Sequence, residues 1–359
     1  MISRTARRAL AALALVLWAG GAQAQAVQRV VLGAPAPWSV QFAYLAFGEQ
    51  LGFFREEGLQ VERVAVTGSA VLLPQVANGQ VTFGVANADI MVLALARGEP
   101  MPLRMVQNWF RLQSFEFVVL QDSPIRSLAE LRGRKLGVGA LTFGNIPLTR
   151  TMLANAGLAW QRDVEPLPVG LGPAAWRRLQ TGGVDALNLF VTEHVRMEIT
   201  GIAIRRLPIP DPFRAIFSNG IVAGDQTIER QPQVVAGFGR ALVKSWIACR
   251  EAAAPCVRAW WAANPASRPP AGQEPQQLQA DMRIAMADRD SIDGFIGDAP
   301  RLYGHYTEES WRQMIAVMHA EGQIARADLE IARLYTNRFV EDYNRFDRAA
   351  VIAAAQRAN

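Results

Sequence analysis

The residues able to do chemistry in this 359-residue chain are few and poorly spaced for catalysis. His194, His305 and His319 share no metal-ligand spacing and read as surface or core histidines. Gly137-Val138-Gly139 with Gly144 misses the dinucleotide fingerprint, and no Gly-Lys-Ser/Thr phosphate loop is present. No Gly-x-Ser-x-Gly elbow presents a nucleophilic serine. Asp288, Asp290, Asp293 and Asp298 imitate a calcium loop, but Ile292 holds a ligand position and the glycine is displaced. No basic run is interleaved with aromatics, so nucleic acid is not an expected partner. Catalysis, a metal and a cofactor are therefore not expected.

A different set of residues suits binding. Trp38, Ser69, Asn87, Asp89, Trp109, Thr142, Phe143, Asn145, Phe190 and Glu193 all fall just after segments that read as strands. In open α/β sheets, ligands collect at the carboxyl ends of strands, where helix N-termini present free N–H groups. Aromatic faces with a few placed hydrogen-bonding groups describe a small-molecule cleft. Each residue also fits a plainer role. Ser69, Asn87 and Thr142 suit N-caps, Trp38 and Phe190 suit a core, and Asp89 and Glu193 suit the first turn of a helix. No Arg or Lys occupies these loops, Arg111 lying just beyond Trp109. The two acids thus favour a neutral or cationic, aromatic or nitrogenous solute over an oxyanion.

The elements that must position these residues alternate. Gln28–Leu32, Val61–Val66, Val81–Val85 and Leu103–Gln107 read as strands, with helices between them over 40–51, from about residue 69 to 78, and over 87–97. A second cycle follows with strands at Lys135–Val138, Val164–Val169, Val184–Leu189 and Ile202–Leu207. Two extended apolar crossings, Phe115–Leu120 and Ala215–Val222, join the cycles as an expected hinge. From about Thr227 the chain reads as mostly helical, interrupted by a Pro-rich stretch over 265–275. The expected fold class is α/β with two similar lobes, each a mixed sheet flanked by helices, and an extended helical C-terminus. The expected division is a signal peptide over 1–24, a first lobe over 25–115, a second over 116–215, and a return to the first lobe with C-terminal helices over 216–359.

Arg4, Arg7 and Arg8 precede the apolar run from Ala9 to Trp18, and Ala22-Gln23-Ala24 ends it, as in a secretory signal peptide. The run is too short to span a bilayer. Cleavage after Ala24 would remove three arginines and leave 34 basic against 32 acidic residues, so most of the +5 charge belongs to that segment. A periplasmic, soluble and monomeric mature protein is expected. Export also permits a Cys249–Cys256 disulfide. Pro255 is expected to break or restart the helix between them, and the pair reads equally as a bridge or as two buried thiols.

The run Leu51-Gly52-Phe53-Phe54-Arg55-Glu56-Glu57-Gly58-Leu59 resembles the periplasmic solute-binding proteins of ABC importers for nitrate, sulfonates, taurine and thiamine-pyrimidine precursors. Further similar segments are Gly79–Gly84, Ser127–Val138, Trp311–Ile324 and Tyr335–Val340, in the same order along nearly all of the mature chain. The resemblance implies a periplasmic-binding-protein-like II fold whose lobes close on a small organic solute and deliver it to an inner-membrane ABC permease. It places the loops of Trp38, Ser69, Asn87, Thr142–Asn145 and Glu193 on the cleft. It also leaves two alternatives: a pyrimidine-precursor-processing enzyme of the same fold, or a sensor presenting its closed form to a membrane receptor.

Overall fold

A computed structural model describes residues 27–214, 216–294 and 301–358. The expected signal segment, Ala215 and Asp298 lie outside these residues. Ten strands form two five-stranded sheets. The strands are β1 (Gln28–Ala34), β2 (Leu59–Ala65), β3 (Phe83–Asn87), β4 (Leu103–Gln107), β5 (Phe115–Leu120), β6 (Arg134–Val138), β7 (Val164–Pro168), β8 (Ala186–Phe190), β9 (Ile204–Arg206) and β10 (Asn219–Gly224).

The first sheet runs β2-β1-β3-β10-β4 and the second β7-β6-β8-β5-β9. In each, three strands are parallel and the fourth position is held by an antiparallel strand. The two sheets thus repeat one plan, with β5 in the second matching β10 in the first. Helices cover both faces, so the central strands are mostly apolar and buried; β3 is buried at all five positions.

Several boundaries differ from the sequence reading for a common reason. Val81 and Val184 are buried like strand residues, yet their N–H groups bond back to Gln75 and Arg178 in turns. Sheet pairing therefore starts two residues later, at Phe83 and Ala186. The helix expected over 40–51 opens as a 3-10 turn, Val40–Phe42, before Ala43–Gln50. The two crossings are extended, as expected: they hold β5 and β10, each paired in a different sheet, and the chain passes between sheets just before each strand. There Phe110 N–H donates to Asn219 O (2.8 Å), Ser218 N–H donates to Phe110 O (2.9 Å), and the Ser114 and Ser218 hydroxyls meet at 2.8 Å.

The C-terminal part is helical, as expected. The 20-residue helix Pro232–Glu251 packs on Ala43–Gln50, with Phe238 stacked on Phe83 at 4.3 Å between ring centres. Gly239 permits this layer, because a Cβ there would lie 2.1 Å from the Tyr343 ring. Cys249 and Cys256 are bridged, with Cα atoms 5.1 Å apart. The helix breaks at Ala252 (φ −138°, ψ 66°) and restarts as Ala253–Ala263, with Pro255 in its first turn, where proline is tolerated. No described helix is long and apolar enough to cross a membrane.

Each sheet has an apolar cluster of its own, and a third cluster is shared between them. The shared cluster takes Met91, Val92 and Leu95 beside the first sheet, Leu148 and Met152 beside the second, and Trp311 and Met314 from the C-terminal helix Glu308–Ala320. Helix Asp89–Ala96 packs on helix Ile146–Asn155, and Glu308–Ala320 packs on the latter.

Candidate functional site

The carboxyl ends of the parallel strands in the two sheets face one cleft of about 290 Å³. β1 runs into Pro35, Pro37, Trp38 and Ser39; β3 ends at Asn87. From the second sheet, Phe143 and Gly144 follow β6, Leu171 and Gly172 follow β7, and Phe190 ends β8. The crossing segments add Phe110, Ser114, Phe115 and Asn219.

The walls are aromatic. Trp38, Phe42, Phe110, Phe115, Phe143 and Phe190 line the space. Trp38 is oriented by its indole N–H, which donates to Val64 O (3.0 Å), and by an edge contact with Phe42 at 4.8 Å. Phe115 and Phe190 meet edge-on at 6.0 Å.

The polar groups come in two sets. On the floor, Asn87 and Asn219 are directly opposed in the β3–β10 ladder, which sets two carboxamides side by side. Ser69 Oγ accepts the Asn87 backbone N–H (3.3 Å), so its own hydroxyl hydrogen is left to donate. On the second-sheet wall, Glu193 Oε2 accepts Gly172 N–H (2.7 Å) and its Oε1 accepts from Arg196 Nη1 (3.2 Å). Glu193 thereby anchors the turn that starts helix Pro173–Gln180.

Six of the ten sequence-derived residues line the cleft: Trp38, Ser69, Asn87, Phe143, Phe190 and Glu193. The other four do not. Trp109 is only 1% exposed and donates its indole N–H to the Tyr44 hydroxyl (3.2 Å) inside the first-sheet core. Asn145 Nδ2 donates to Asn188 Oδ1 (2.9 Å) and Thr149 Oγ1 (3.1 Å), tying a helix start to β8. Asp89 and Thr142 sit where the two halves touch. Thr142 Oγ1 donates to Thr67 O (2.8 Å), Thr142 O accepts Ala70 N–H (3.2 Å), and Asp89 Oδ2 accepts Leu148 N–H (3.3 Å). These residues follow strands as the others do, but their side chains turn into the seam or the core.

A second seam runs through Gln41, which lines the cleft. Gln41 accepts from Thr192 Oγ1 (3.0 Å) and donates to Asp288 Oδ2 (2.8 Å), linking the first-sheet side, helix Val191–Ile199 and the C-terminal part. Burial pushes the Asp89 and Asp288 carboxyls up to about 7; the charge of Glu116 adds to the rise at Asp288.

Sequence reasoning missed Gln41, Phe42, Ser114, Arg196 and Asn219. The strand-end loops carry no cation, as read from the sequence, but the cleft gains one from a helix, Arg196. It lies one helical turn beyond Glu193, and i,i+3 spacing returns it to the same face. The signal was available in Val191–Ile199 read as a helix. Asn219 had none, because its position depends on the antiparallel register of β10. Histidine plays no part here: buried His194 pairs through Nδ1 with Glu116 (2.9 Å). No group of three or more possible metal-binding side chains occurs among the described residues.

Comparison with known proteins adds the following. Residues 39–253 match the family model described as "NMT1/THI5 like". The riboflavin-binding protein RibY of Chloroflexus aurantiacus is 25% identical over 220 residues, 61% of each chain. A putative thiamine biosynthesis protein of Haemophilus influenzae is 32% identical over 147 residues, 40% of this chain and 44% of that one. The chain thus spans less than two thirds of either curated relative. Among solved structures, the alkanesulfonate-binding protein SsuA of Xanthomonas axonopodis pv. citri, bound to MOPS, superposes with a TM-score of 0.62 at 16% identity, covering 86% of this chain and 98% of that one. That likeness is one of fold: the expected two-lobed periplasmic-binding-protein architecture is present.

Proposed function

The chain belongs to the NMT1/THI5-like family, and from that footing we propose that it is an extracytoplasmic solute-binding receptor of an ABC importer that takes up a flat aromatic, nitrogen-containing solute. One observation carries the reading. Residues from both sheets converge on a single cleft at their strand ends, with six aromatic side chains around opposed Asn87 and Asn219 carboxamides. Aromatic walls select a planar body, and the two carboxamides can each donate to and accept from polar ring atoms. The names of the two curated relatives, one riboflavin-binding and one assigned to thiamine biosynthesis, point to heteroaromatic vitamins and support this class.

The solute would bind one half and be enclosed by the other. The halves in this reading are residues 25–115 with 216–359, and 116–215. The closed form gains only by the solute's extra affinity for it. The mature protein would begin after Ala24, act as a monomer in the periplasm, and pass its solute to a permease without chemical change. The test is native purification followed by mass spectrometry of released small molecules, with calorimetric titration of the compound found. A heteroaromatic compound recovered unaltered and rebinding with one-to-one stoichiometry supports the receptor. Conversion of that compound by the purified protein would overturn it in favour of an enzyme.

A further inference from the structure

Arg196 is held in the cleft wall by one corner only. Its Nη1 donates to Glu193 Oε1, and Glu193, 2% exposed, is itself fixed by the Gly172 N–H. The other edge of the guanidinium, Nε with Nη2, has no hydrogen-bond partner among the described residues, and Nε is buried. That edge is a planar two-donor fork of the kind that grips two coplanar acceptors at once. A buried donor without a partner is costly, which makes the fork a place where a solute can gain on binding.

We propose that the Nε–Nη2 edge of Arg196 is the specificity element of the cleft, and that it receives a pair of adjacent, coplanar acceptors on the solute: a carbonyl oxygen beside an unprotonated ring nitrogen. A carboxylate offers the same two-acceptor shape. The neutral edge is favoured because Glu193 already cancels the guanidinium charge and stands on the far side of the same group. A second carboxylate would face it across the guanidinium in a poorly hydrated wall. Glu193 is on this view a positioning residue: it stops Arg196 from rotating and keeps the fork aimed.

The inference rests on the aromatic-solute reading above, and the experiment separates the two. Binding of lumiflavin, 2-naphthoate and 2-naphthamide is measured by calorimetry on the wild type, Arg196→Lys and Arg196→Gln. Lumiflavin presents the neutral acceptor pair, naphthoate the charged pair, and naphthamide a single acceptor on the same ring. The expected result is tightest binding of lumiflavin, weakened at least tenfold in Arg196→Lys, which keeps charge but loses the fork. Naphthamide binding should change less than threefold. Equal losses for all three probes, or unchanged lumiflavin binding in Arg196→Lys, would overturn the role of the fork while leaving the aromatic cleft intact. Naphthoate binding tighter than lumiflavin, with the same arginine dependence, would overturn the neutral class. No binding of any probe to the wild type would remove both readings. Circular dichroism of each variant checks that the fold persists.

Discussion

At the scale of single residues, the cleft divides into groups that were legible and groups that were not. Trp38, Ser69 and Asn87 could be found because the rule that ligands gather at strand ends needs only a strand and the residue after it. Trp109 obeyed the same rule and failed, since whether an aromatic faces a cleft or a core is decided by packing from distant segments, here Tyr44 and Trp246. A consequence is testable by fluorescence. Trp38→Phe should abolish most of the intensity change on solute binding, whereas Trp109→Phe should leave it in place and cost stability instead. A second prediction concerns protons. With the halves in contact as in this structure, Asp89 and Asp288 have carboxyls raised to about 7 from an ordinary 3.8. An open, hydrated form would release those protons between about pH 4 and 7, so closing takes protons up. Closure is therefore favoured below about pH 7, and the advantage is lost as pH rises through that value. Solute affinity should be higher at pH 6 than at pH 8. Calorimetry in buffers of different ionisation heat should show proton uptake, reduced in Asp89→Asn and absent when Asp288→Asn is added.

At the scale of elements, the alternation of strands and helices was readable because both sheets are built from short parallel units with polar turns between them. Strand starts were misplaced where turn residues such as Val81 and Val184 are as buried as strand residues, a distinction that hydrophobicity does not carry. One close contact in the seam is the loop after β6 against the first half. A Cβ on Gly144 would lie 2.6 Å from Asn87 Cβ and 2.7 Å from Ser69 Oγ. Gly144→Ala should therefore hold the halves apart. We expect at least a tenfold loss of solute affinity, and a radius of gyration by small-angle scattering that fails to contract on adding solute. The disulfide acts on a different element pair, the helices that meet at Ala252. Its loop is short, so loop-closure entropy gives about 2–3 kcal/mol. Replacing both cysteines by alanine should lower the melting temperature by several degrees without changing affinity.

At the scale of the whole molecule, two sheets of one plan were foreseeable from the repeated order of segments, but the shared apolar cluster between them was not. It is made by side chains far apart in sequence, among them Trp311, fully buried against Phe217 at 4.7 Å and stacked on Tyr335 at 5.4 Å. Both halves should accordingly unfold in one calorimetric transition. Trp311→Ala should lower that single transition by the roughly 3–5 kcal/mol typical of a lost core aromatic. Two resolved transitions in the wild type would contradict the shared cluster. The sheet order has a further consequence, one of timing. β4 has β10 as its neighbouring strand in the first sheet, and 111 residues separate Gln107 from Asn219. Synthesis at about 5–20 residues per second leaves β4 waiting roughly 6–22 s for its partner. The second sheet, contiguous in sequence from β5 to β9, can be assembled within that interval. The later-made half is thus positioned to fold first, while the N-terminal half stays unfinished until β10 has been made.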